Sequence, residues 1–312
     1  VFLSYTREYL GYVKRKRFMS ETYNCEPTLN DTQVLEFCKN GFLVLEAVVS
    51  NEVNKKTVRF MEEQVELHGH TKDKVGYGSG IDDMVNESWF MDSVIKNPAA
   101  AGAVRSLLGK NFGLPNRISS HRPICPQPAQ EWHMDGCSIF GPVLDYLQVF
   151  YYPEDCPKEL GPTEVLPGSH HFFSLQTHMA QYGRIKGSKL IEAPAGSICI
   201  TTYPIWHRRS ESTGTGARNN IKYNYWRMVK PERDWIIEPE FDLATADFNV
   251  NLPIYTGGDQ PSQRARLGTS EMLCWLWGKS EHFTFKGGQS WPVDRAGPGI
   301  IPYGVPAGLI NE

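Results

Sequence analysis

Hydrophobic positions change their spacing along the chain. Between residues 28 and 66 they recur at helical intervals with one β-rich interruption. In TLNDTQVLEFCKNG, Thr28, Asn30 and Asp31 offer caps, Val34, Leu35 and Phe37 or Cys38 share a side, and Gly41 supplies a stop. FLVLEAVV (42–49) then reads as one buried strand. Ser50 is placed to cap a second amphipathic helix, NEVNKKTVRFMEEQVELH, with Val53, Val58, Met61, Val65 and Leu67 along one side.

From about 115 to 230 the helical spacing gives way to short β-type runs separated by Gly, Pro and Asn turns. These are VLDYLQVFYY (143–152), TEVLPGSH (163–170), KLIEAPAGSICITTY (189–203) and NNIKYNYWRM (219–228). Regular spacing of this kind predicts an antiparallel sandwich or barrel. In the first run Tyr146, Gln148 and Phe150 share one face and Leu147, Val149 and Tyr151 the other. Both faces are largely apolar, so the strand is expected to be covered on both sides. The tail after Pro231 holds a Trp-rich helical stretch, TSEMLCWLWGKSEHF, and ends rich in Pro and Gly. The expected organisation is a single domain over 1–312. A mixed helical and strand part spans 28–110, a β core 115–230, and a C-terminal extension packed on that core 231–312.

Composition narrows the function. Of 312 residues, 40% are hydrophobic and 12% aromatic, which excludes a disordered chain. Lys plus Arg number 32 against 35 Asp plus Glu, a net charge of -3 without a basic run, so no nucleic-acid partner is expected. No window reaches the roughly 18 apolar residues of a bilayer span, so no membrane partner is expected. The seven cysteines are scattered and never spaced CxxC, which fits reduced thiols. The opening VFLSYTREYLGYVKRKRF lacks a signal-peptide apolar run. Cytoplasmic localisation is the expectation, with the native start upstream because residue 1 is Val.

The chemistry centres on EWHMDG. On an extended segment His133 and Asp135 point to one face, so an imidazole and a carboxylate converge. A third ligand must come from elsewhere, and His207 in YPIWHRRS is the best candidate. Two imidazoles and one carboxylate with open positions form the arrangement of non-haem Fe(II) oxygenases. Alone, HxD is a weak signal. Arg218, eleven residues after His207, strengthens it, because a guanidinium fork suits capture of the far end of a dicarboxylate. Taken singly, Arg218 reads equally as a surface residue in a Gly-rich turn.

Together, NGFLVLEAVVSNEV, WHMD, GPTEVLPGSHH (161–171), PAGSICITT, and WH followed by Arg at eleven residues make residues 28–228 resemble a known family. It is the phytanoyl-CoA dioxygenase-like branch of the Fe(II)/2-oxoglutarate-dependent dioxygenases. The resemblance implies a mainly β fold with flanking helices, built on a double-stranded β-helix or jelly roll of cupin type. It implies that His133, Asp135 and His207 bind Fe(II) and that Arg218 pairs with the far carboxylate of 2-oxoglutarate. Gln130 and Thr163 match positions of polar contacts to the co-substrate, and Gln148 shares a face with Phe150 that reaches toward the pocket. O₂ is the second co-substrate, and succinate and CO₂ are the co-products. Halogenating relatives replace the carboxylate by a small residue; Asp135 is intact, so hydroxylation of a small-molecule metabolite is expected. Desaturation, epoxidation or rearrangement on the same iron stay open, as does a non-catalytic cupin-like binding module.

The other histidines have plainer readings. His170 and His171 are expected to be structural, and His68 and His70 to lie in a solvated loop. His121 either lines a substrate channel or caps a turn, and His178 and His282 have no supporting pattern. Trp132 and Trp206 are expected to point away from the metal into the core. The stretch 71–95, with Tyr77, Trp89 and Phe90, is either a lid or an ordinary surface loop. Substrate identity and oligomeric state are not legible.

Overall fold

The computed structural model describes residues 21–68, 70–71, 74–75, 84–135, 142–172, 174–250 and 260–279. Fourteen strands occur among them. In chain order, β1 is Thr22–Tyr23, β2 Phe42–Leu45, β3 His70–Thr71, β4 Lys74–Val75, β5 Phe112–Gly113, β6 Ser119–His121 and β7 Ile124–Gln127. Then come β8 Tyr146–Tyr152, β9 Thr163–Val165, β10 Lys189–Leu190, β11 Ser197–Thr202, β12 His207–Arg209, β13 Ser212–Ala217 and β14 Asn220–Trp226.

The larger sheet runs β2-β11-β8-β14-β6-β4-β3, with β5 joining β14 to β1. A smaller sheet runs β10-β9-β12, and β13 pairs with β7. All the pairings are antiparallel. The mainly β, jelly-roll expectation holds.

Alternation along β8 separates the two environments of the molecule. Leu147, Val149 and Tyr151 enter the main core, where they meet Ile198, Ile200, Ile221 and Tyr223 and the helices. Phe150 and Tyr152 turn the other way, toward Val165, Ile191, Cys199 and Ile205 between the sheets. The strand is thus covered on both sides, as its composition predicts.

Helix α1, Asp31–Asn40, is closed by an Asn30–Gln33 capping box and a left-handed Gly41. Helix α2 is Asn51–His68. The stretch 84–95, read from sequence as loop or lid, is helical instead. A 3-10 turn at 84–86 leads to α3, Ser88–Phe90, and a π-helical turn, Met91–Ile95. Met84, Phe90, Val94 and Ile95 are fully buried, so this part is core. Tyr77 lies outside the described residues, as do Cys137 and His282.

Helix α4, Pro98–Leu108, has no counterpart in the sequence reading; its sequence PAAAGAVRSLL is rich in alanine, and residues 100–108 are all buried. Pro98 starts it and Asn97 caps the amides of Ala99 and Ala100. A short helix α5, Gln176–Met179, precedes α6, Gln260–Leu276. The latter packs beside α1 and accounts for the Trp-rich helical stretch.

The segment Arg233-Asp234-Trp235 fastens the chain beyond β14 to the N-terminal helices. Asp31 is fully buried and accepts from Arg233 Nε at 2.8 Å, Arg233 Nη2 at 2.5 Å, Trp235 Nε1 at 2.8 Å and the Glu238 amide at 2.7 Å. Asp234 pairs with Arg105 of α4. Removing one member of a buried pair costs about 3–5 kcal/mol. Asp31→Ala is therefore expected to lower stability by about that much in urea denaturation, while leaving the cavity between the sheets intact. A loss under 1 kcal/mol would contradict the assignment.

Candidate metal centre

His207 opens β12. It lies opposite His133 as an antiparallel bridge in which both backbone hydrogen bonds form, each 3.0 Å. Directly opposed residues present their side chains to the same face, and the two rings stand 4.5 Å apart. By the same alternation Trp132 and Trp206 turn away, packing with Leu166 in a separate cluster. Each tryptophan is core, as expected.

Asp135 lies two residues beyond His133 and completes the group. One ligand atom from each of His133, Asp135 and His207 falls within 4.8 Å of the others. The His207 Nε2 to Asp135 Oδ2 distance is 3.7 Å. His133 Nδ1 lies 2.8 Å from the carbonyl of Glu131, and His207 Nδ1 lies 3.1 Å from that of Ile205. A carbonyl only accepts, so both Nδ1 atoms carry the proton and both Nε2 lone pairs remain for a cation. Burial pushes the His207 pKa down to about 4, against the pull of Asp135. The ring is therefore neutral at neutral pH.

Asp135 stays ionised. Burial would raise its pKa, but the Lys222 ammonium and the two imidazoles hold it well below the usual carboxylate range. Lys222 Nζ donates to Asp135 Oδ2 at 2.5 Å, and Gln148 Nε2 donates to the same oxygen. The sequence reading did not single out Lys222. A signal was present: on β14 a lysine takes the inward register, opposite Phe150 of β8.

Arg218 falls between β13 and β14, and its amide donates to the Pro123 carbonyl. Its guanidinium is buried over the Tyr152 ring. Nη2 donates to Thr163 Oγ1 at 2.9 Å, and Tyr152 Oη lies 2.7 Å from that same oxygen. Nε has no hydrogen-bond partner. Among the described residues no carboxylate forms an ion pair with Arg218. A buried guanidinium with an orphaned donor is costly unless an anion joins it. It therefore fits a carboxylate in the cavity.

That cavity, about 180 Å³, is lined by His133, Asp135, His207, Arg218, Thr163, Gln130, Lys222, Asn220 and His121 among others. Four of the residues named from sequence around a cation and its co-substrate thus share one wall with Thr163 and Gln130. Gln130 Oε1 accepts from the Arg209 amide at 3.0 Å, tying the segment before His133 to β12. Gln148 stands behind Asp135 instead of on the cavity wall. His121 lines the cavity, which favours the channel reading over the turn cap.

His170 and His171 lie away from this group. Both imidazoles reach the Cys38 carbonyl, at 3.0 and 2.9 Å, and so fix the turn after β9 to α1. Burial moves the His170 pKa down from 6.5 to about 4. Between those values the unfolded chain binds a proton that the folded one excludes, so stability falls as pH drops through that window. At 1.36 kcal/mol per unit, His170 alone contributes up to about 3 kcal/mol. The gap between urea midpoints at pH 7 and pH 4.5 should narrow in His170→Gln, the part due to His207 remaining; an unchanged gap would exclude His170 as a source.

Comparison with known proteins places this geometry. No curated protein sequence matches the chain. Among solved structures, HygX from Streptomyces hygroscopicus, solved with nickel and 2-oxoglutarate bound, aligns with TM-score 0.51 at 15% identity. The alignment covers 67% of this chain and 90% of HygX. AviO1 from Streptomyces viridochromogenes Tue57 aligns with TM-score 0.49 at 13% identity, covering 65% of this chain and 98% of AviO1. The epimerase SnoN from nogalamycin biosynthesis gives 0.48 at 15%, over 62% of this chain and 81% of SnoN. At such identities the HygX likeness establishes a shared fold. The sequence model of phytanoyl-CoA dioxygenase (PhyH) matches residues 37–218, more than half of the chain. That span contains His133, Asp135, His207, Thr163 and Arg218, and the chain belongs to the phytanoyl-CoA dioxygenase family.

Proposed function

We propose that the protein is an Fe(II)- and 2-oxoglutarate-dependent oxygenase that hydroxylates an unactivated C–H bond of a small-molecule metabolite. The observation that carries this reading is the convergence of His133, Asp135 and His207 in one cavity with the orphaned Arg218 guanidinium.

In this reading His133 Nε2, an Asp135 oxygen and His207 Nε2 would hold the iron, the tautomers of the two histidines being preset by the Glu131 and Ile205 carbonyls. Arg218 would bind the far carboxylate of 2-oxoglutarate through Nε, which has no other partner. With Tyr152 donating to Thr163, the Thr163 hydroxyl proton is left to point at the same carboxylate. Gln148 and Lys222 hold Asp135 in one orientation. Iron, when bound with 2-oxoglutarate and O₂, supplies the oxidising power: R–H, 2-oxoglutarate and O₂ give R–OH, succinate and CO₂. Phe150 supplies a buried apolar side to the cavity.

The test is release of succinate from 2-oxoglutarate, dependent on both Fe(II) and O₂. Succinate formation above the protein-free control, abolished by a chelator and restored by Fe(II), is the expected result. Metal-independent or absent succinate formation, with or without added metabolite extracts, would overturn the reading.

A further inference from the structure

We infer that Lys222 makes the substrate side of this cavity a receptor for an anionic group, so that the substrate class is carboxylate-bearing metabolites. This rests on the oxygenase reading and deepens it by naming what is bound beside the iron.

Charge and placement both support it. Lys222 Nζ lies 2.5 Å from Asp135 Oδ2, and among the described residues Asp135 is the carboxylate within ion-pair reach. Of the arginines on the cavity wall, Arg208 is already neutralised by Glu164 at 2.6 Å. Arg209 directs Nη1 and Nη2 to the Pro128 carbonyl and the Gln127 side-chain oxygen, behind the wall. The loaded centre would hold one divalent metal, the Asp135 carboxylate, a dianionic co-substrate and the Arg218 guanidinium, which together sum to zero. Lys222 adds one positive charge that nothing else in that set cancels. An uncompensated charge in a low-dielectric cavity is costly, and a bound anion offsets it.

Lys222 is also placed to reach such a group. Its side chain keeps 17% exposure and lines the cavity. Asn220 lies two residues before it on the same face of β14, and its register partner is His121 on β6. Both line the cavity with Lys222. Asn220 Nδ2 lies 3.4 Å from the Tyr151 carbonyl and His121 Nε2 3.3 Å from Ser119 Oγ, so Lys222 is the charged donor that this wall offers a carboxylate.

Acetate tests the receptor without knowledge of the full substrate, and acetamide is its neutral isostere. Protein loaded with Fe(II) and 2-oxoglutarate under anaerobic conditions is titrated with each at constant ionic strength, following the visible charge-transfer absorption. Wild type should bind acetate at least tenfold more tightly than acetamide. Lys222→Met loses its bond to Asp135 and is expected to need more metal, so it is compared at saturating Fe(II) and 2-oxoglutarate, where it should show no preference for acetate; Lys222→Arg should keep the preference. Equal binding of the two probes in wild type, or a preference that survives in Lys222→Met, overturns the inference. So does a Lys222→Met defect confined to 2-oxoglutarate, which would place the ammonium on the co-substrate. Absence of any metal and 2-oxoglutarate absorption in wild type would instead remove the oxygenase reading, and this inference with it.

Discussion

Replacing Arg218 by methionine is expected to raise the 2-oxoglutarate concentration needed for half-maximal turnover by at least about thirtyfold. Truncating one partner of a buried, hydrogen-bonded charge pair costs roughly 2–5 kcal/mol, and the lower end already corresponds to that factor. The rate at saturating co-substrate should fall much less, because Arg218 holds the far end of the molecule and not the reacting atoms. The same variant should not destabilise the protein without ligand. Arg218 is 4% exposed, and its Nε is unpaired, so methionine relieves a buried cation and keeps apolar contact with Tyr152. An unchanged co-substrate requirement together with lower stability would make Arg218 a structural residue only.

The largest effect is expected from His207→Ala. His207 is 3% exposed and sits at one edge strand of the smaller sheet, bridged to His133 on one side and paired with Val165 on the other. Loss of an outer-sphere partner alone costs about 10–100-fold in metal affinity, so loss of a direct ligand should exceed about 100-fold. Succinate formation should drop below about 1% of wild type, since alanine supplies no donor in place of the imidazole. The backbone bridge to His133 needs no side chain, so circular dichroism should stay native. Retention of tight 1:1 metal binding in His207→Ala would contradict the ligand assignment.

Much of this was legible in the chain because the governing patterns are local. Asn30, Gln33 and Gly41 fix α1 by capping, and strict alternation on β8 separates core from cavity. The HxD pair needs only an extended backbone to converge, and the eleven residues from His207 to Arg218 carry the chain through β12 and β13 so that both ends face one cavity. What escaped depends on distant partners. Helix α4 is buried from Ala100 to Leu108, including Arg105, whose partner Asp234 lies far along the chain. The π-helical turn at Met91–Ile95 forms where Gly and Ser upstream suggested a loop. Asp31 reads as a helix cap until Arg233 and Trp235 arrive from two hundred residues away. Lys222 was visible as a charged residue at an inward strand position, yet its meaning depends on Asp135 being opposite.

Lys222 also helps to set the site in advance. A carboxylate held by a lysine and an amide is already organised before any cation arrives, and the two histidines have their protons committed to backbone carbonyls. The donor set therefore needs little rearrangement on binding, which lowers the cost of assembling the centre. Among the described residues no helix is long and apolar enough to cross a membrane.

A crystal structure of protein soaked with Mn(II) as a redox-silent substitute and 2-oxoglutarate, with the metal located by anomalous scattering, tests the central claim most directly. One metal peak is predicted within about 2.0–2.3 Å of His133 Nε2, an Asp135 oxygen and His207 Nε2, with the co-substrate's far carboxylate on Arg218. A metal bound elsewhere, or a dicarboxylate that leaves Arg218 Nε without a partner, would contradict it.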